Sequence, residues 1–195
     1  ARVALTTQSA EKIYRSDGPS ARIETSLRLE AGAAFDWLPQ ETILFDRASL
    51  VRTLDVDMAA DARLIACESV VFGRLAMGET CASGDFRDRW RVRRAGRLIF
   101  AEDVRLEAPA AALDRPAIGA GARAMATLLH VAPDAPARLD DCRTALENID
   151  CESGVSALDG FLVARLVSRS PENLRLAILA LFSHLLGRAA PRVWQ

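Results

Sequence analysis

From Arg2 to about Glu107 the chain is written in short segments in which apolar and polar side chains alternate. A period of two is what a half-buried strand requires, because successive side chains point to opposite faces of a sheet. Ser20–Glu30 places Ile23, Leu27 and Leu29 on one parity and charges on the other. Ser49–Met58 sets Leu50, Leu54, Val56 and Met58 against Val51, Thr53, Asp55 and Asp57. Leu64–Phe72 is more continuously apolar, which predicts a strand buried on both faces. Phe86–Arg94 puts Phe86, Trp90 and Val92 opposite a row of arginines and runs through Ala95-Gly96 into Arg97–Glu107. Two alternating runs joined by two such residues predict a hairpin. Thr6–Arg15 reads as a strand and turn at a sheet edge.

The period changes in the last third. Pro109–Gly121 is rich in Ala, Pro and Gly and reads as a connection, and Ala122–Val131 reads as a strand. Asp134 offers an N-cap for a helix near 135–148 that carries Leu139, Cys142 and Leu146 on one face. Val155–Ser168 reads as one or two strands. Ser170-Pro171-Glu172 marks the start of a second helix, near 171–187, with Leu174, Ile178, Leu181 and Leu185 as its apolar stripe. Trp194 is expected to dock back onto the body. The pattern predicts one mainly β domain over 1–195, with about two α-helices in the C-terminal third.

Charge narrows the functions. The formal net charge is −1, so no basic surplus points to nucleic acid or an anionic membrane. No apolar run approaches the roughly 18 residues of a spanning helix, and a cytoplasmic protein with reduced cysteines is expected. Cys67, Cys81, Cys142 and Cys151 include no CxxC pair, and His130 and His184 are the only histidines, so no zinc-type cluster is encoded. Neither a phosphate-binding glycine loop nor a GxSxG elbow occurs. His130 and His184 are expected to be packing or surface residues.

Carboxylates embedded in apolar segments are the remaining chemistry. Glu41 lies within Leu38–Asp46, Glu68 interrupts Leu64–Phe72, and Glu79 closes Gly73–Glu79. A carboxylate in such a setting costs several kcal/mol unless it is paired, hydrogen-bonded or bound to a metal. Pairing with arginines such as Arg47 and Arg74 is one reading. The other is a polar path in which Glu41, Asp46 and Glu68 hold a passing divalent cation weakly, since oxygen ligands release borderline metals more readily than thiolates or imidazoles. An enzyme using Glu41 and Glu68 as acid and base is a further alternative, and a purely structural interaction module is another. Cys67 is expected to face away from Glu68.

Several ordered blocks resemble the urease accessory protein UreD (UreH) family: Thr6–Ser16 (TTQSAEKIYRS), Phe35–Asp46 (FDWLPQETILFD), Val71–Glu79 (VFGRLAMGE), Asp88–Glu102 and Pro191–Trp194. Family members carry further strands and a glycine-rich segment upstream, so an N-terminally shortened member is expected. The resemblance implies a stacked, β-helix-like multi-strand body. It also implies a chaperone that works with UreF and the GTPase UreG to insert nickel into urease apoprotein, with no tightly bound cofactor and nickel in transit. Glu41, Asp46 and Glu68 are where a nickel path would fall.

Overall fold

The computed structural model describes residues 1–195. The chain first winds in parallel coils, each laying two short strands in one sheet and a longer strand in a second. The first coil is β1 (Arg2–Leu5), β2 (Glu11–Ile13) and β3 (Ala21–Leu29); the next is β4 (Ala34–Trp37), β5 (Thr42–Leu44) and β6 (Ser49–Met58). In the last coil a single long strand, β7 (Arg63–Phe72), spans the width of two and is followed by β8 (Asp85–Arg94). Equivalent strands stack in parallel: β1 on β4 on β7, β2 on β5 on β7, and β3 on β6 on β8. The body is therefore stacked and β-helix-like.

Antiparallel strands then finish both sheets. β9 (Arg97–Glu107) folds back on β8 through Ala95 and Gly96, whose φ angles of 50° and 77° are the mirror-image turn that matches strand twist. β10 (Ala124–Val131) pairs with β7 and with β12 (Phe161–Ser168), and β11 (Glu152–Leu158) forms the far edge. The larger sheet runs β1-β4-β7-β10-β12-β11, with β2 and β5 alongside; the smaller runs β3-β6-β8-β9.

Two apolar clusters fill the space between the sheets, one around Leu54, Trp90, Phe100 and Leu129, the other around Leu44, Leu50, Phe72 and Phe86. A third lies on the outer face of the larger sheet, under the helices. β7 and β10 contribute to both faces, which is why their sequences are almost continuously apolar.

Three α-helices are present: α1 (Pro109–Asp114), α2 (Leu139–Leu146) and α3 (Pro171–Leu185). α1 lies in the segment read from sequence as a connection. Pro109 sits in its first turn and Pro109, Ala110 and Leu113 are buried, so packing stabilises a helix too short to stand alone. The predicted helix near 135–148 is a 3₁₀ turn over Ala135–Arg138 followed by α2. Asp134 does not cap it; its carboxylate accepts from Arg63 Nη1 at 2.7 Å instead. α3 starts as predicted, with Ser170 Oγ accepting from the Asn173 amide at 3.2 Å and Pro171 in the first turn. Ser170→Ala should cost about 1 kcal/mol, read as a lower urea midpoint with unchanged slope.

No helix is long and apolar enough to cross a membrane.

Candidate functional site

The apolar parity of the three central strands is broken in the middle of each, at one level. On β7 the inward-facing series is Leu64, Ala66, Glu68, Val70, Phe72; on β6 it is Leu50, Arg52, Leu54; on β8 it is Phe86, Asp88, Trp90. Arg52 and Asp88 are direct register partners, and Glu68 reaches Arg52 from the opposite sheet. The result is a charged belt between the two inter-sheet apolar clusters.

Arg52 is its centre. Its Nη2 donates to Asp88 Oδ2 at 2.7 Å and its Nε to Asp88 Oδ1 at 3.2 Å, while Nε lies 3.0 Å from Glu68 Oε2 as an ion contact. Trp37 Nε1 donates to the other Glu68 oxygen at 2.9 Å. The Trp90 indole nitrogen is buried in the same core without a hydrogen bond. Glu68 is 3% exposed and Arg52 4% exposed, so the belt is almost fully withdrawn from water.

Two carboxylates share one guanidinium, which leaves one uncompensated negative charge when both are ionised. Burial pushes the Glu68 carboxyl above the usual range, and Asp88 adds to this; Arg52 and the Trp37 hydrogen bond only partly offset it. Burial works against the Arg52 charge, but Glu68 and Asp88 outweigh it and hold the group protonated. The belt is therefore short of one positive charge when both carboxylates are ionised, and burial pushes Glu68 toward holding a proton.

The polar layer continues across the sandwich. Thr127 lies opposite Glu68 in the register, and its hydroxyl donates to Glu102 Oε2 at 3.0 Å. Arg165, the next residue in the same row, donates to Glu102 Oε1 at 2.5 Å and is half exposed, so the layer reaches the surface there.

The structure does not bring the three sequence-predicted residues together. Glu68 faces the smaller sheet. Glu41, just before β5, lies on the opposite face of the larger sheet, with Arg175 of α3 3.6 Å away. No Glu41–Glu68 acid–base pair is assembled, because the sheet separates them. Asp46 follows β5 in a turn; its Oδ1 accepts from the Ser83 amide at 2.9 Å, and Arg47 lies 4.0 Å away. Of the three, Glu68 alone lies inside a strand.

Glu41 and Asp46 instead border two adjoining surface grooves that share Tyr14, Phe45 and Arg74. The Val71–Glu79 block builds the wall between them. Arg74 pairs with Glu79, whose other oxygen accepts from the Asp46 amide at 2.9 Å, and the Arg74 guanidinium lies 4.6 Å from the Phe45 ring centroid. Gly73, at φ 92°, is required: a Cβ there would meet Glu79 O at 2.4 Å.

No group of three or more His, Cys, Asp or Glu side chains converges as a metal-ligand set. All four cysteines are free thiols, and burial pushes each above its ordinary range, Cys142 and Cys151 to about 11. They are thiols at neutral pH. Cys67 packs under the helices, on the face away from Glu68.

The family model described as "UreD urease accessory protein" matches residues 1–195, the whole chain. The chain belongs to the UreD family. A urease accessory protein UreD from Azorhizobium caulinodans is 48% identical over 195 residues, covering all of this chain and 72% of that relative. One from Methylobacterium sp. strain 4-46 is 50% identical over 197 residues, covering 98% of this chain and 70% of the relative. UreD proteins are named as accessories to urease, which points to a supporting and non-catalytic role in its maturation.

The UreD-like blocks are explained by packing as much as by chemistry. The Leu38–Glu41 segment ties distant parts together: Leu38 O accepts from Trp194 Nε1 at 3.0 Å, Gln40 Oε1 from Arg175 at 3.1 Å, and the Gln40 amide donates to Thr7 Oγ1 at 2.9 Å. Sequence reasoning named Glu68 but missed Arg52 and Asp88. Their signal was present: Arg52 is the one charged residue among Leu50, Leu54, Val56 and Met58 on its parity, and Asp88 the one among Phe86, Trp90 and Val92.

Proposed function

We propose that the chain is a scaffold and chaperone for GTP-dependent insertion of nickel into urease apoprotein, acting in the cytoplasm in a complex with UreF and UreG. Membership of the UreD family over the whole chain supports this reading. GTP hydrolysis belongs to UreG, and nickel is cargo and not a resident cofactor of this chain.

The observation that carries a role for nickel is the buried belt with its surplus negative charge. In this reading Glu68 is the internal waypoint, and the Arg52 guanidinium occupies the position between two carboxylates where a divalent cation would sit. Nickel passes Glu68 only when Arg52 withdraws toward Asp88. Glu41 and Asp46 serve at the surface grooves as oxygen ligands for entry or exit. Weak oxygen ligation suits transfer, because a thiolate or imidazole cluster would retain the metal.

The test is urease activation by purified UreF, UreG and the Glu41→Ala/Glu68→Ala variant, at limiting nickel. A variant that still assembles should lower the nickel-dependent activation rate about tenfold or more, the effect of ~1.4 kcal/mol on a barrier. Full activation by an assembled variant removes the nickel path and leaves a scaffold. Failure of the unmodified chain to assemble with UreF would overturn the complex itself.

A further inference from the structure

A second candidate site lies on the other face of the larger sheet, at the C-terminal end of α3, and opens to solvent beside the half-exposed Arg2, Arg63 and Asp134. It is a cavity of 200 Å³. Asp36 on β4, Ile65 on β7 and His130 on β10 stand side by side in the register, so Asp36 and His130 flank Ile65 on the face that α3 covers. His130 is 6% exposed, and its Nδ1 is buried without any hydrogen-bond partner. A buried imidazole nitrogen left unpaired costs about 1–3 kcal/mol; Nδ1 is shut off from the cavity, and the ring lines it through its other atoms.

The lining is cationic. Arg63 and Arg138 reach the cavity from one side and Arg2 from another, against the carboxylates of Asp36 and Asp134. Arg188 supplies a further charge by donating to Asp36 at 2.5 Å. Most of the guanidinium donors are unspent: Arg63 uses only Nη1, on Asp134, and Arg138 makes no hydrogen bond or ion pair. Burial keeps His130 neutral with its pKa lowered to about 4; Arg63 and Arg138 lower it further, while Asp134 and Asp36 act the other way. The second histidine, His184, lies on the cavity rim.

We propose that this cavity binds a small oxyanion, held by Arg63 and Arg138 and by the His130 imidazole. Planar guanidinium forks match the oxygens of sulfate or phosphate, and charge-assisted bonds of this kind are the strong ones. Size selects the class: 200 Å³ holds an oxyanion with a few waters and lies below the roughly 300 Å³ of a site for a larger organic ligand. The facing arginines, and the lack of any converging three-ligand set, argue against a cation. The bound anion favours imidazolium, so binding draws a proton onto His130. Affinity then rises as pH falls from near neutrality toward the low pKa of the free site.

The experiment is calorimetric titration of the full chain with inorganic phosphate and, separately, with sulfate, which does not itself change protonation in this pH range, in buffers of different ionisation enthalpy. Saturable binding of one equivalent with proton uptake is expected below about pH 6.5, the ordinary histidine value. Saturation in only one arm identifies the anion. Arg63→Gln/Arg138→Gln should bind at least about a hundredfold more weakly, since each lost charge-assisted bond is worth about tenfold or more. His130→Asn should bind sulfate without proton uptake, which keeps the test decisive if the double variant does not fold. Absence of saturation in both arms, unchanged binding by a folded double variant, or proton uptake with sulfate that persists in His130→Asn would each overturn the proposal. So would nickel ions, and neither anion, moving both histidine NMR signals.

Discussion

Arg52→Ala should lower the stability of this protein by about 3–5 kcal/mol, because it strands two buried carboxylates without a counter-charge. That is a large fraction of the roughly 5–15 kcal/mol that holds an ordinary domain folded. The loss should shrink on acidification. Glu68 is already pushed above the carboxylate range by burial, and without Arg52, which lowers it, it moves higher. The folded state then binds protons more tightly than the unfolded state does. Stability must rise as pH falls through the raised folded value and level off near the unfolded carboxylate value of about 4. Urea midpoints of Arg52→Ala at several pH values measure this; a midpoint equal to that of the unmodified chain at neutral pH would refute the central place of Arg52.

An apolar replacement of the whole trio separates stability from function. Arg52→Met/Glu68→Leu/Asp88→Leu removes every charge at once, and buried ion clusters so replaced are commonly neutral to about 4 kcal/mol more stable. The triple variant should therefore fold. If it also activates urease at the normal rate, the belt is only structural. If it folds and assembles but does not activate, the charges are kept for transfer at the expense of stability.

Trp194→Ala should cost about 3–5 kcal/mol, the range for emptying a large aromatic site. Trp194 is fully buried, packs edge-on against Phe182 at a centroid distance of 5.2 Å, and carries the Arg175 guanidinium 4.8 Å from its ring. Its indole N–H holds the Leu38 carbonyl at 3.0 Å. Removing it frees the C-terminal segment from the Leu38–Glu41 hub and leaves Arg175, and with it Glu41, less firmly held. Urea unfolding and limited proteolysis read the effect: the variant should unfold at lower urea and be cleaved after α3. A midpoint close to that of the unmodified chain would mean the segment is not tied to the core.

The sequence alone determined the longer strands, the hairpin, the start of α3 at Ser170 and the mainly β body, because each rests on a local rule: period-two alternation, a mirror-image turn, a side-chain cap. Family membership was also legible, since ordered blocks survive whatever their spatial arrangement. α1 and the paired role of Asp134 were not, because a short helix and an exposed carboxylate take their partners from distant segments. Glu41, Asp46 and Glu68 looked like one set because they are near in sequence and similarly flanked. Only the tertiary structure decided which face of the larger sheet each occupies, and it separated Glu41 from Glu68 while joining Glu68 to Arg52 and Asp88 across two sheets. Parity fixes that a side chain points inward; the stacking of coils fixes which other inward side chain it meets.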